Sequence, residues 1–298
     1  MRKLIATLAL CCVTPSWAQL QVFACEPEWG ALARIIGGDQ VRVFNATTGL
    51  QDPHHVQARP SLIAKMRTAD LVFCTGAEQE VGWLPKLLNK AGKSGLQPGE
   101  LGMLFAADYV TKLEIPVVVD RQLGDIHADG NPHIQLDPRN YLPVARELAS
   151  RLTQLDSKNE VVFTVNLQSF EQSWQQSINR WQLAAGGLQG KEVVVYHRQW
   201  SYLLDWLGMV AIADVEPKPG VPPSSRDLVN ISAVIEKNNP FAILYAPYAI
   251  KSPVTWLQQH TRILAVELPT TVGGVPDTET LSSLFNVIIE RLNNAAAQ

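Results

Sequence analysis

Short apolar runs alternate with stretches of helical periodicity along most of the chain. Runs at residues 20–25, 41–44 and 70–74 have the length of buried strands, and each is followed, directly or after a loop, by a segment whose apolar residues recur at helical spacing. The same alternation resumes with runs at 193–196, 210–212, 241–245 and 263–266. Strands that alternate with helices of this size predict parallel sheets built from βαβ units.

The middle of the chain carries no strand-like run. The spacing of apolar residues predicts a helix over 140–154 and a long helix over about 157–186, which at 1.5 Å per residue covers roughly 45 Å. We therefore predict an α/β fold of two lobes with central parallel sheets joined by one long rigid connecting helix. The predicted bounds are 19–155 for the N-terminal lobe, 156–187 for the connecting helix and 188–298 for the C-terminal lobe. A stiff connector favours small loop movements over a wide rotation of one lobe.

The first 18 residues have the layout of a cleavable signal peptide. Arg2 and Lys3 precede an apolar run at 4–13, and Ser16-Trp17-Ala18 has the small residues of a cleavage site. We expect cleavage after Ala18 and a soluble protein exported to the periplasm. A lipid anchor on Cys11 is an alternative that Leu10 disfavours, because a smaller residue usually stands there. No other stretch approaches the roughly 20 apolar residues that span a bilayer.

Composition argues against nucleic acid as a partner. The chain has 298 residues, 18% of them charged, and a formal net charge of -3. It contains no polybasic run that would attract a phosphate backbone.

Two cysteines remain after the predicted cleavage site. Cys25 and Cys74 each end a strand-like run, and an oxidising compartment would allow them to pair. Neighbouring parallel strands seldom offer disulfide geometry, so we favour two buried free thiols and leave pairing open. Neither cysteine stands in the paired spacing of a metal site.

Three of the six histidines stand at the ends of strand-like runs or in loops nearby. His54 and His133 each follow a proline, which restricts the backbone, and His197 ends the apolar run 193–196. Taken singly, such a histidine is more often a capping or surface residue. Together they predict one metal site with His54, His133 and His197 as ligands, because imidazoles suit zinc, copper, iron or nickel. A zinc-dependent hydrolase and a binding site without catalysis are both compatible with three histidines.

The motifs around these histidines come in a fixed order along the chain: Asp52-Pro53-His54 with Pro60-Ser61, then Asn131-Pro132-His133, then Tyr196-His197 with Tyr202. In this order and spacing they resemble the zinc/manganese family of ABC-transporter substrate-binding proteins. The resemblance covers most of the chain after the predicted cleavage site.

The resemblance implies a binding protein and not an enzyme. It implies a periplasmic monomer that captures a divalent metal ion between its lobes and delivers it to a membrane ABC permease, with His54, His133 and His197 as ligands. Histidine at the third position implies Zn²⁺ over Mn²⁺, which agrees with the preference of manganese for carboxylates. A metal-binding adhesin or a metallochaperone with the same site is the alternative, and a hydrolase comes third.

The fourth ligand is left open. Many family members have a carboxylate after the last strand, where this chain reads Val266-Glu267-Leu268-Pro269-Thr270-Thr271. Glu267 stands one residue early, and Asp277 lies well downstream. Water, His55, Glu267 or a residue of the loop before His133 could complete the site. That loop keeps only Asp125, His127 and Asp129, which we interpret as a weak auxiliary site or as solvated residues.

Overall fold

The computed structural model describes residues 19–117 and 127–298, which form two parallel sheets of four strands each. The signal peptide predicted over 1–18 and Asp125 lie outside the described residues. In the first sheet the strand order is β2-β1-β3-β4. Its strands are β1 (Leu20–Ala24), β2 (Val41–Asn45), β3 (Leu71–Cys74) and β4 (Met103–Phe105), and the helices that accompany it are α1 (Pro27–Gly37), α2 (Pro60–Thr68), α3 (Leu84–Ala91) and α4 (Tyr141–Leu155).

The second sheet repeats this plan with the order β6-β5-β7-β8. Its strands are β5 (Glu192–Val195), β6 (Val210–Asp214), β7 (Ala242–Tyr245) and β8 (Leu264–Glu267), and its helices are α6 (Ser201–Leu207), α7 (Ser225–Asn238), α8 (Lys251–Thr261) and α9 (Leu281–Ala296). Between the two sheets in sequence lies the long helix α5 (Glu160–Ala184). The predicted fold class is confirmed. Strand β4 was missed, because three residues are too short a run to stand out.

A continuous apolar core connects both sheets through α5. One cluster of buried side chains contains residues of β1, α5, β5 and α9. At its centre lies an aromatic cluster of Tyr141, Trp174, Trp181 and Phe285, whose neighbouring rings are 5.0–6.0 Å apart. The indole N–H groups of this cluster both have acceptors: Trp174 donates to the carbonyl of Pro138 and Trp181 to Asn286 Oδ1, each at 2.7 Å. Apolar packing therefore joins α5 to elements of both lobes.

The preferred interpretation of the cysteines as free thiols was wrong, because Cys25 and Cys74 form a disulfide. In the register of β1 and β3, Ala24 lies opposite Phe73, so the next residue on each strand comes opposite its partner as well. The two Cα atoms are 4.7 Å apart, within the usual range for a disulfide. Cys25 directly follows β1 and Cys74 is the last residue of β3, so the bridge joins the carboxyl ends of two neighbouring strands.

None of the helices in residues 19–117 and 127–298 combines the length and the apolar character needed to cross a bilayer.

Candidate metal centre

The fold brings the three predicted histidines together from separate loops. His54 lies between β2 and α2, His133 precedes α4, and His197 follows β5. The ring centroids are 5.4 Å apart for His54 and His133, 5.5 Å for His133 and His197, and 6.3 Å for His54 and His197. Residues more than sixty positions apart in sequence thus form one histidine cluster, at the edge where the strands end.

The first two histidines are held by the same local motif. In Asp52-Pro53-His54 the Oδ1 atom of Asp52 lies 2.9 Å from both the backbone nitrogen and the ring Nδ1 of His54. In Asn131-Pro132-His133 the Oδ1 atom of Asn131 lies 3.0 Å from the backbone nitrogen and 2.9 Å from the ring Nδ1 of His133. One side-chain oxygen therefore fixes both the turn and the ring.

The orientation of the Asn131 amide is set by its other contacts. Its Nδ2 donates to Glu114 Oε2 and to the carbonyl of Arg198, both at 2.9 Å, so the amide oxygen faces His133. Since that oxygen only accepts hydrogen bonds, Nδ1 of His133 carries the proton. The lone pair of this imidazole then lies on Nε2.

A carboxylate plays the same part for His197. Nδ1 of His197 lies 2.8 Å from Glu216 Oε2, which also accepts a hydrogen bond at 3.0 Å from the amide of Gly220. Glu216 comes shortly after β6, so the second sheet supplies both the imidazole and the group that orients it. Carboxylate–histidine pairs of this kind are a regular feature of metal sites.

These contacts leave potential metal-binding nitrogens without partners. In the described part of the chain, Nε2 of His54 and Nε2 of His133 are buried and accept no hydrogen bond. Burial, followed by the neighbouring imidazoles, holds the pKa of His133 well below its usual range, so its ring is neutral. Although burial alone would raise the pKa of Asp52, the hydrogen bonds of His54 lower it to about 2. The arrangement presents imidazoles whose Nδ1 atoms are backed by fixed oxygen atoms and whose Nε2 atoms are left for a ligand.

His127, from the loop that the sequence leaves open as a source of the fourth ligand, lies in the cluster. Its ring centroid lies 5.1 Å from that of His54. Burial and then the neighbouring His54 and His197 lower its pKa to about 3. The amide of the next residue, Ala128, donates to Glu78 Oε2 at 2.5 Å and so ties this loop to the first lobe. The sequence leaves open whether His127 is an auxiliary, a solvated or a fourth-ligand residue, and its place shortly before Asn131-Pro132-His133 is the signal for the last of these.

The other candidates for a fourth ligand are paired or exposed. Glu267 forms an ion pair with Lys251, with 3.1 Å between Oε1 and Nζ. Asp129 is exposed, and so is His55, whose ring centroid is 6.5 Å from that of His54. His55 does line a cavity of about 200 Å³ beside His54 and His197.

The imidazoles of the histidine cluster are spaced too widely to bind one metal ion together without moving. Among described His, Cys, Asp and Glu residues, one group of three has its ligand atoms all within 4.8 Å of one another, and it is Cys25, Cys74 and Glu80. No three of the clustered imidazoles reach that spacing. Because zinc–nitrogen bonds of 2.0–2.1 Å hold ligand atoms within about 4.2 Å of one another, binding one ion would draw the rings inward.

Comparison with known families places the chain. The sequence profile described as ZnuA, zinc-uptake complex component A, periplasmic, matches residues 22–295. The chain belongs to the ZnuA family. This family comprises solute-binding proteins of ABC transporters and not enzymes, so the predicted resemblance and the predicted non-enzymatic class are confirmed.

The curated relatives of this ZnuA-family protein include lipoproteins named for manganese. The manganese ABC transporter substrate-binding lipoprotein scaA of Streptococcus gordonii is 26% identical over 158 residues, which are 52% of this chain and 48% of the relative. PsaA of Streptococcus pneumoniae, with the same description, is 25% identical over 160 residues, 53% of this chain and 48% of the relative. The chain thus spans about half the length of the curated relatives it matches.

Solved structures share the fold over nearly the whole chain. A crystal structure of ZnuA superposes with a TM-score of 0.77 at 21% identity and covers 93% of this chain and 99% of its own. A manganese-bound periplasmic metal-binding protein from Candidatus Liberibacter asiaticus gives 0.75 at 15% identity, with 93% and 100% covered. At these identities the comparison supports the two-lobe α/β fold.

Proposed function

We propose that this protein captures a divalent metal ion, Zn²⁺, in the periplasm and delivers it to an ABC permease, with His54, His133 and His197 as ligands. The observation that carries the proposal is the pair of buried Nε2 atoms of His54 and His133, which have no hydrogen-bond partner within the described residues. Burying such atoms unpaired costs free energy. A metal ion would satisfy both lone pairs at once.

The groups around the site favour zinc over manganese. Manganese prefers carboxylate oxygens, whereas neutral imidazoles suit zinc. The nearby carboxylates of Asp52 and Glu216 are occupied by Nδ1 of His54 and of His197, and Glu267 is paired with Lys251. Relatives are named for manganese and ZnuA for zinc, so the choice for this chain rests on its own side chains.

We infer that His127 is the fourth ligand. Its ring is mostly buried against His54, and its lowered pKa keeps it neutral. Four imidazoles would complete a tetrahedral zinc site without water. His127 lies six residues before His133, so one stretch of chain would supply two of the four ligands.

Location and partner are inferred from the family. Its members are periplasmic components of uptake systems, and the curated relatives are lipoproteins. Cleavage after Ala18 and a lipid anchor at Cys11 would both export this protein, and only the second would leave it attached to the membrane. An adhesin or a metallochaperone would need the same metal site and differs only in the absence of a permease.

The test is the metal content and zinc affinity of the exported protein, measured by elemental analysis and competitive titration. We expect one zinc per chain and a large loss of affinity in His54→Ala, His133→Ala and His197→Ala, with a smaller loss in His127→Ala. His260→Ala is the matched control, because His260 stacks on Trp256 with ring centroids 3.8 Å apart, away from the cluster. Equal binding by His260→Ala and the cluster variants, or tighter binding of Mn²⁺ than Zn²⁺, would refute the proposal.

A further inference from the structure

A second group of metal-ligand atoms lies at the carboxyl ends of β1 and β3, apart from the histidine cluster. The sulfur atoms of Cys25 and Cys74 and a carboxylate oxygen of Glu80 lie within 4.8 Å of one another. All three residues are at least 98% buried. In the oxidised protein the sulfurs are bonded to each other, so this group holds no metal ligand other than carboxylate.

The carboxylates beside the sulfurs are built into the fold. Glu80 Oε1 accepts a hydrogen bond from the amide of Thr75 at 2.8 Å, and Oε2 accepts one from Gly76 at 3.1 Å. Glu26 Oε2 accepts from the Thr75 hydroxyl at 3.2 Å. The other oxygen of Glu26, Oε1, is buried and has no partner within residues 19–117 and 127–298.

Burying these acids has an electrostatic cost. Burial raises the pKa of Glu80 to about 7, and burial followed by the charges of Glu80 and Glu28 raises that of Glu26 well above its usual range. The unpaired Oε1 of Glu26 is a buried acceptor that a divalent cation would satisfy. The adjacent pair of cysteine sulfurs adds, next to these carboxylates, the thiolate ligands that zinc prefers.

We propose that reduction of the Cys25–Cys74 disulfide creates a second zinc site, formed by the two thiolates and Glu80 and completed by Glu26. A small dithiol is the reductant. One of its thiolates attacks a protein sulfur, which forms a mixed disulfide and releases the other cysteine as a thiolate. Its second thiolate then attacks the reductant's own sulfur in the mixed disulfide, which releases the second cysteine and leaves the reductant as a cyclic disulfide. Binding of Zn²⁺ then releases the two thiol protons.

The oxidation state of one pair of cysteines thus sets the number of metal ions per chain. Two sulfurs and two oxygens match the tetrahedral preference of zinc, and hydrogen bonds from the Thr75 and Gly76 amides hold Glu80 in position. When the disulfide forms, the two thiolates no longer bind the metal, and the remaining carboxylates release the ion. The oxidised protein then binds its cargo at the histidine cluster alone.

Cobalt absorption distinguishes the two sites, because only a thiolate-bound Co²⁺ gives an intense near-ultraviolet charge-transfer band. We expect no such band in the oxidised protein, and we expect the band together with one additional equivalent of bound Zn²⁺ in the dithiol-reduced protein. Cys25→Ser/Cys74→Ser should lack the band under both conditions. Glu80→Gln should weaken the second site roughly tenfold or more, whereas Glu279→Gln, an exposed control, should not.

Circular dichroism and thiol titration accompany each sample. A reduced protein with two titratable thiols and a native spectrum but no band would overturn the proposal, as would loss of the native spectrum on reduction or a band that persists in the double serine variant. The result is independent of the histidine cluster. If that cluster bound no metal, the total would fall by one equivalent while the band would remain.

Discussion

The two sheets share one backbone plan and differ in the side chains at the carboxyl ends of their strands. In both, the first residue after the central strand makes the same hydrogen bond: the amide of Cys25 donates to the carbonyl of Phe73, and the amide of Tyr196 donates to that of Leu244, each at 2.8 Å. The disulfide seals the gap between β1 and β3. At the corresponding gap between β5 and β7, Tyr196 lines a cavity of about 200 Å³.

The next position continues the contrast. The amide of Thr47 donates a hydrogen bond to the carbonyl of Cys25 at 3.2 Å, and the amide of Glu216 donates one to the carbonyl of Tyr196 at 3.0 Å. Thr47 and Glu216 therefore occupy equivalent positions in the two sheets. The Thr47 hydroxyl returns to the Cys25 carbonyl at 2.8 Å, whereas the Glu216 carboxylate orients His197. The same backbone arrangement thus carries a disulfide at the carboxyl ends of β1 and β3 and borders a cavity at those of β5 and β7. The metal site therefore depends on a few side chains and not on the fold.

Opening the sealed end should have the largest effect on stability. Cys25→Ser/Cys74→Ser removes a cross-link over a sequence separation of 49 residues. In the chain-entropy description this lowers the free energy of unfolding by about 4 kcal/mol. Zinc affinity should not change, because neither cysteine belongs to the histidine cluster. Urea unfolding of metal-free protein and zinc titration of the same samples test both statements, and a joint loss of stability and affinity would contradict the separation of the two ends.

Corresponding positions of the two ends should respond differently to substitution. Glu26 comes directly after Cys25, as His197 comes directly after Tyr196. His197→Ala should lower zinc affinity by roughly 100-fold or more, beyond the 10- to 100-fold typical of residues that only orient a ligand. Glu26→Gln should leave the zinc affinity of the oxidised protein unchanged. Competitive titration measures the zinc affinity of both variants. Equal losses of affinity would show that the two positions do not differ in function.

The sealed end should also give the protein a distinctive pH dependence. Burial raises the pKa of Glu80 to about 7 in the folded state, against about 4.3 in an unfolded chain. The folded state therefore binds more protons between these values, so the stabilisation that this group contributes is complete below the lower value and is lost as the pH rises through 7. His127 and His133, whose pKa values are lowered, act in the opposite direction.

Comparison of the wild type with Glu80→Gln measures this contribution together with the effect of Glu80 on the neighbouring Glu26, whose pKa it raises. From about pH 5 to pH 7.5 the metal-free variant should gain about 2 kcal/mol in unfolding free energy relative to the wild type. Denaturant unfolding at several pH values measures the difference. A difference that stays constant, or one that grows toward acid, would show that Glu80 is ionised throughout.

The smallest effect concerns the repeated Asx-Pro-His motif. Asp52→Ala removes the oxygen that holds Nδ1 of His54 and should cost roughly tenfold in zinc affinity, the lower end of the usual range, because the side chain of Asp52 is 37% exposed. Asp52→Asn should restore most of the affinity, since Asn131 does the same work for His133. If the alanine and asparagine variants bind alike, the oxygen does not orient the ring.

The sequence predicted the features that depend on local pattern. Apolar periodicity was sufficient for the fold class, and prolines before His54 and His133 marked residues that the structure does bring together with His197. The roles of Asp52 and Asn131 were also within reach, because each stands two positions before its histidine.

The features that were missed depend on strand order and loop path. Pairing of Cys25 with Cys74 was left open but disfavoured, because the general geometry of neighbouring strands does not reveal that these two Cα atoms lie only 4.7 Å apart. The place of His127 depends on the contact of its loop with Glu78, fifty positions away. Glu216 reaches His197 only because β6 pairs with β5. These are long-range facts, and no short motif encodes them.

The aromatic cluster around the long helix limits how this architecture can be recombined. The two sheets resemble duplicate modules, yet Tyr141 from before the long helix packs against Trp174 within it and against Phe285 near the end of the chain. A chimera that exchanged one lobe for that of a relative would cut through these ring contacts. Such a chimera would need matching aromatic residues in all three segments to keep the contacts of Tyr141 with Trp174 and Phe285.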